Sequence, residues 1–321
     1  MGRATSQRRP CFPDPSHGGP SGPALNSLPM STAPTRTGHI ALAGAPNVGK
    51  SSLLNRLTET HLSLVSPKPQ ATRLPVVGLL TTEDTQYVFH DLPGLLEPAY
   101  ALQVRMLAAA LEVLEQVDVI LHLHEAIRAP ASDFWSLAGL EKALEVPVIT
   151  VYTKADLIRE PLTLSGSAPP LTVSATTGTG VPQLLEAIRP LLPQGPFQFD
   201  PDEVGTQPVR FFVGEYLREA AFDLLQEEVP YGVAVEVEEF HENRSPVYIR
   251  VSLYVERDSQ KGIVVGRGGR TLKAIGTHAR LRLEALLGQP VYLESRVKVL
   301  RNWRRSSAAL TRLGFPEKAP L

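Results

Sequence analysis

The sequence predicts two domains in tandem: an α/β domain with a mostly parallel sheet and helices on both faces, then a smaller α+β domain. Three observations predict it. From residue 39 onward, short apolar runs alternate with amphipathic stretches, which is how strands joined through helical crossovers read. Pro190, Pro193, Gly195, Pro196 and Pro201 then break the alternation. Beyond them the order becomes one long helix, two alternating strands, a glycine-rich turn, a helix and a last strand. The 321 residues suffice for two cores of ordinary size. The expected divisions are an extension at 1–37, the first domain at 38–195, a linker at 196–207, the second domain at 208–315 and a tail at 316–321.

Residues 1–37 are dense in Pro, Ser, Gly and Arg without apolar periodicity, so burial cannot offset the entropy of ordering them and disorder is expected. They lack the apolar core of a secretion signal, and Met30 is a candidate start of translation. In the first domain, strands are expected at 39–43, 74–81, 86–90, 118–123, 147–152 and 171–174, and helices at 50–58, 101–116, 133–145 and 181–192. In the second, residues 208–228 place Val209, Phe212, Val213, Tyr216, Leu217, Ala220, Leu224 and Leu225 on one helical face. Val247, Ile249, Val251, Leu253 and Val255 then alternate with Tyr248, Arg250, Ser252 and Tyr254, the two sets on opposite faces of a strand. A helix at 271–287 buries Leu272, Ile275, Ala279, Leu283 and Leu286, and a strand at 291–299 closes the unit.

With 43% hydrophobic and 20% charged residues the composition is that of a soluble globular protein, expected in the cytoplasm. No run approaches the roughly 18 to 20 apolar residues of a membrane-spanning helix. A single cysteine, Cys11, excludes an internal disulfide and a thiolate zinc cluster. The net charge of −1 conceals an asymmetry: residues 39–204 carry 10 Lys+Arg against 18 Asp+Glu, and residues 257–312 carry 13 against 3. One end repels polyanions and the other attracts them.

Gly44, Ala45, Pro46, Asn47, Val48, Gly49, Lys50 and Ser51 form a G-x-x-x-x-G-K-S string between an apolar strand and a helix, with Ser52 next in that helix. In that context the glycines let successive N–H groups face one point, where the helix N-terminus adds positive potential, as a polyphosphate requires. Lys50 is expected against the β- and γ-phosphates and Ser51 on Mg²⁺. Asp91, Leu92, Pro93 and Gly94 end the strand at 86–90, where the carboxylate can hold Mg²⁺ through water and the Gly94 N–H can meet a γ-phosphate oxygen. Upstream, Thr72 in the segment Lys68 to Arg73 is the candidate second protein ligand of the metal.

Thr153, Lys154, Ala155 and Asp156 follow the strand at 147–152. A carboxylate there can accept two N–H donors that guanine presents and adenine lacks, and the Lys154 stem can cover the base. Ser174 and Ala175 can offer a backbone N–H to the guanine carbonyl. This ordered set resembles the GTPase branch of the P-loop proteins, and the resemblance supplies the guanine assignment. Most members have asparagine where this chain has Thr153, so a weaker tie between base loop and phosphate loop is expected. Leu95 stands where many signalling GTPases place a water-orienting glutamine, which implies slow hydrolysis. Related GTPases with a G-x-P-N-V-G-K-S loop use the asparagine to bind K⁺, which implies that role for Asn47. The catalytic set is thus Lys50, Thr72, Asp91, Gly94 and Asn47.

Gly266, Arg267, Gly268 and Gly269 make a G-x-x-G turn between the apolar Ile263, Val264 and Val265 and the helix at 271–287, with Arg270 and Lys273 beside it. Close backbone approach at the glycines, cations for phosphates and an apolar groove are how a KH domain clamps single-stranded RNA. With that unit the chain resembles the Era family of bacterial GTPases over nearly all of residues 38–315. The matching strings include Lys68 to Arg73, Gly214 to Glu219, Pro230-Tyr231, Ser259 to Gly266, Val297-Lys298-Val299 and Trp303-Arg304. The resemblance implies a type II KH fold and binding of 16S ribosomal RNA near its 3′ end. It further implies a role in maturing the 30S subunit, and peripheral contact with the inner face of the cell membrane. A monomeric GTP-hydrolysing switch is expected. The alternative is an RNA-binding assembly factor that holds GTP or GDP without turnover.

Overall fold

The computed structural model describes residues 34–140, 142–164 and 169–317. Residues 1–33, with Met30, lie outside the described residues, as does most of the tail. Residues 34–37, expected to be disordered with them, are not: Arg36 and Thr37 open the first strand in register with Thr85 and Gln86 of the third. The elements of the first domain are β1 (Arg36–Ala43), α1 (Lys50–Thr58), β2 (Val76–Thr81), β3 (Thr85–Asp91), α2 (Ala101–Leu114), β4 (Val119–Glu125), α3 (Phe134–Ala138), β5 (Val148–Thr153), β6 (Leu171–Thr172) and α4 (Val181–Ile188). They build a sheet of order β2-β3-β1-β4-β5-β6 in which only β2 runs antiparallel to its neighbour. Central strands of such a sheet are covered on both faces, and Ile40 to Ala43 of β1 are accordingly buried without alternation. The chain continues from β1 to one side of it and later to the other, so the ends of β1, β4 and β5 open onto a crevice suited to a ligand.

The helix expected at 133–145 is much shorter, because two local signals outweigh its periodicity. Asp133 caps α3 by accepting from the Ser136 N–H at 2.8 Å, and Gly139 ends it at φ 69° with its N–H bonded to the Ser136 carbonyl. Leu140, Leu144 and Val146 still pack on the core beneath α2, so the apolar spacing marked contact with the core, without a continuous helix. The segment expected as helix 181–192 likewise leaves α-helical geometry after Ile188 and ends in a 3₁₀ turn containing Pro190.

Residues 196–207 do not run free between the domains. Buried Gln86 accepts from the N–H groups of Gln198 and Phe199 at 2.8 and 3.0 Å and donates to the Phe199 carbonyl at 2.9 Å, while the Leu79 N–H reaches the Val204 carbonyl. The segment is therefore stitched onto β2 and β3 through backbone groups, a kind of contact that composition does not signal.

The second domain comprises α5 (Val209–Leu224), β7 (Ala234–His241), β8 (Val247–Val255), α6 (Asp258–Val265), α7 (Arg270–Leu287), β9 (Val291–Val299) and α8 (Ser307–Arg312). β7 and β8 are antiparallel, whereas β8 and β9 are parallel and joined through α6, the glycine turn and α7. Phe212, Val213 and Leu217 of α5 and Ile275, Ala279 and Leu283 of α7 bury the inward residues of β8, Ile249 and Val251 among them. α8 is an element that sequence reasoning missed. Its Leu310, with Phe315 and fully buried Trp303, packs against Leu102 and Met106 of α2, and so ties the end of the second domain to the first.

Candidate nucleotide site and glycine-turn surface

At the end of β1 the chain must turn sharply beneath β4, and at Gly44 a Cβ would fall 2.4 Å from the Leu123 carbonyl, so only glycine fits. Asn47 (φ 64°) and Gly49 (φ 96°) curl the loop, and Lys50 opens α1 with its ammonium donating to the Ala45 and Gly44 carbonyls at 2.9 and 3.3 Å. Burial lowers the Lys50 pKa to about 8, with Asp91 opposing the shift, so the side chain is cationic at neutral pH. From the other side, Gly94 lies so close that a Cβ would stand 2.8 Å from Pro46 Cα, and the Leu95 N–H bonds the Gly44 carbonyl at 3.0 Å. A cavity of about 520 Å³ is bounded by Asn47, Lys50, Ser51, Ser52, Thr72 and Gly94.

Three oxygens converge in its floor. The Ser51 hydroxyl donates to Asp91 Oδ2 at 2.6 Å and stands 2.9 Å from Thr72 Oγ1, which is 3.5 Å from the same carboxylate oxygen. Asp91 is fully buried, its Oδ1 has no hydrogen-bond partner, and burial pushes its pKa up against the pull of Lys50 and Ser51. Two hydroxyls and a carboxylate with an unsatisfied buried oxygen fit a hard divalent cation such as Mg²⁺, directly at the hydroxyls and through water at Asp91.

Opposite lies a smaller cavity of about 280 Å³, lined by Gly49, Ser52, Thr153, Lys154, Asp156 and Ala175. Asp156 is held by Ser174 Oγ, which donates to it at 2.5 Å and accepts from the Thr177 N–H at 3.1 Å. Thr153 does tie base loop to phosphate loop: its hydroxyl donates to the Val48 carbonyl at 2.6 Å, with the His124 carbonyl 3.2 Å away. The threonine hydroxyl thus makes this tie through one short hydrogen bond.

Some of the expected site residues contribute backbone alone. Leu92 and Leu95 are buried in the core with Ala41 and Leu111, Pro93 is buried beside them, and Val48 is buried in the core on the other face of the sheet. Their apolar side chains point away from the phosphate cavity. Glu125 and Arg128, which sequence reasoning missed, border it. Only the pairing of Glu125 with Thr153 between β4 and β5 brings them there, and nothing local in the sequence announces it.

The segment carrying Thr72 is held chiefly from the second domain. The Ala71 carbonyl accepts from Arg218 at 2.6 Å, and buried Arg73 donates to the Val233 and Tyr231 carbonyls at 2.8 Å each with its guanidinium over Trp303. Lys68 donates to the Leu225 carbonyl at 2.6 Å and also to that of Phe222, and His61 meets the buried Glu219 at 2.8 Å. From α2, Arg105 donates to the Phe315 carbonyl and the Ser307 hydroxyl, both at 2.5 Å.

In the second domain, Gln260 accepts from the Glu256 and Arg257 N–H groups and so caps α6, whose last residue precedes the glycine turn. Gly266, Gly268 and Gly269 have φ of 72°, 60° and 78°. A Cβ on Gly266 would strike Thr271 Oγ1 at 2.2 Å, whereas Gly268 and Gly269 face open space where a backbone ligand can approach. Arg267, Arg270 and Lys273 are exposed beside the turn, as is Ile263. Val264 departs from the expected contact set: it is wholly buried in the core. Val265 is half-buried.

Residues 39–154 match the family described as 50S ribosome-binding GTPase, and residues 228–304 match the KH domain. The chain is 40% identical over 293 residues to GTPase Era of Carboxydothermus hydrogenoformans, covering 88% of this chain and 98% of that protein. It is 38% identical to GTPase Era of Geobacter metallireducens, with 89% and 100% covered. Two solved structures match 88% of this chain and all of theirs, with TM-scores of 0.82 and 34% identity: a point variant of Aquifex aeolicus Era bound to GDP·AlF₄⁻, and Era in complex with MgGDPNP and nucleotides 1506–1542 of 16S ribosomal RNA.

Proposed function

The chain belongs to the Era family of GTPases, and from that membership we propose that it is a GTP-hydrolysing switch whose KH domain binds 16S ribosomal RNA near the 3′ end during 30S assembly. GTP occupies the two cavities of the first domain, with guanine against Asp156 and the β- and γ-phosphates against Lys50. Mg²⁺, when bound, neutralises developing phosphate charge from Ser51, Thr72 and, through water, Asp91. The RNA strand follows the G-x-x-G turn, its phosphates on Arg267, Arg270 and Lys273.

The observation that supports coupling between these sites is the hold on Thr72. The residues on either side of it, Ala71 and Arg73, hydrogen-bond to the second domain. A γ-phosphate and Mg²⁺ that draw Thr72 inward therefore act on the same segment that grips the KH unit. RNA affinity is expected to differ severalfold between the GTP-analogue and GDP states, measured with a short 3′-end RNA by fluorescence anisotropy. Equal affinities in both states, and in the nucleotide-free protein, contradict the coupling.

Asn47 Nδ2 donates to the Pro67 carbonyl at 2.8 Å, just before the segment that carries Thr72. The amide oxygen of Asn47 would be a ligand suited to K⁺, so hydrolysis is expected to run faster in K⁺ than in Na⁺, and Asn47→Ala to abolish the difference. Among the described residues no helix is long and apolar enough to cross a membrane. We place the protein in the cytoplasm as a monomer, with any membrane contact peripheral.

A further inference from the structure

We propose that Glu125 is a positioning residue for guanine nucleotide binding, acting through Lys154; the inference rests on the reading of the 153–156 loop as the base site. Glu125 is the last residue of β4 and pairs in register with Thr153 of β5, so the sheet itself carries its carboxylate to the start of the base loop. Lys154 follows at φ 57°, a left-handed backbone that fixes the direction in which its side chain leaves the strand. Its ammonium is ion-paired to Glu125 Oε1. The other oxygen, Oε2, takes Arg128 Nε at 3.0 Å.

Exposure separates this arrangement from an ordinary surface pair. The Glu125 side chain is 13% exposed, against 76% for Arg128 and 35% for Lys154, so the carboxylate is the fixed, sheltered member and the two cations come to it. Lys154 also borders both cavities, the larger one at the phosphate loop and the smaller one with Asp156. With Gly49 and Ser52, which also line both, its methylene stem is thus part of the wall between them, and a long, flexible side chain serves as wall only if its end is held. Untethered, the ammonium is drawn toward the nucleotide phosphates and the stem leaves the base face. Glu125 supplies the tether.

The test is a double-mutant cycle on release of a fluorescent GDP analogue from the full-length protein, with Glu125→Gln, Lys154→Met and the pair. Glu125→Gln keeps the size and polarity of the side chain and removes its charge. It is expected to speed release about fivefold, as loss of a partly sheltered ion pair does, and to raise KM for GTP more than it lowers kcat. In the Lys154→Met background the same change is expected to add less than twofold, because the group it positions is gone. Unchanged release in Glu125→Gln, or equal acceleration in both backgrounds, overturns the inference. If Lys154→Met itself leaves release unchanged, the base-site reading fails instead.

Discussion

Asp156 and Thr72 border the two adjoining cavities of the proposed nucleotide site, but their supports come from different domains. Asp156 is held by Ser174, and its loop is tied down by Thr153 on the Val48 carbonyl, all within the first domain. Thr72 sits between Ala71 and Arg73, whose partners Arg218, Tyr231 and Val233 belong to the second. On the proposed reading, the base side is supported within the first domain alone, and support of the metal side is shared. The proposed switch needs that division, so that nucleotide is retained whatever the second domain does while the γ-phosphate signal crosses the interface.

The largest expected effect breaks the base side. Asp156→Ala removes an anionic acceptor of two hydrogen bonds and is expected to cost about 3–4 kcal/mol of GTP binding, roughly a hundredfold or more in Kd by calorimetry. RNA affinity of the nucleotide-free protein should stay within about twofold. Next comes Thr72→Ala on the metal side, expected to slow single-turnover hydrolysis by on the order of a hundredfold while GDP affinity changes little, because the threonine serves the γ-phosphate state. If Thr72→Ala weakens GDP as much as Asp156→Ala does, the two sides are not separate.

Solution pH acts where the halves meet, at Lys50. Its pKa of about 8 lies below the usual lysine value, and bound polyphosphate, being anionic, favours the protonated form. Below pH 8 the free protein already carries the proton and affinity is flat. Above it, binding must take a proton up, so GTP affinity is expected to weaken with rising pH by up to about tenfold per unit. An affinity constant from pH 7 to 9.5 contradicts this. The smallest effect is expected at the far end of the interface. Arg105→Ala removes donors to Phe315 and Ser307, and should lower stability by about 1–3 kcal/mol in urea titration with nucleotide affinity unchanged.

How much of this the sequence disclosed depends on the range of the contacts. The phosphate loop and the G-x-x-G turn were legible because each is a local backbone device: glycines at fixed offsets, followed by a helix. The strands of both sheets were legible from their apolar runs. α3 was overestimated because Asp133 and Gly139 bound the helix more tightly than the apolar spacing suggests. Leu95 was legible as the absence of a glutamine, but its burial under α2 was not. The anchors of the Thr72 segment were hidden for a different reason. Arg73, Arg105 and Lys68 bond to backbone carbonyls more than 150 residues away, and a carbonyl has no sequence signature. Glu125 depends on strand register in the same way.

The central claim, that the metal side is held from the KH domain so that RNA and hydrolysis communicate, is tested most directly by the paired variant Arg73→Met and Arg218→Met. Hydrolysis is measured in K⁺ with and without a 16S 3′-end RNA, alongside RNA affinity. The account predicts that RNA changes the wild-type rate severalfold and that the variant loses this response while still binding both RNA and GDP. A variant that keeps both ligands and responds to RNA as the wild type does contradicts it.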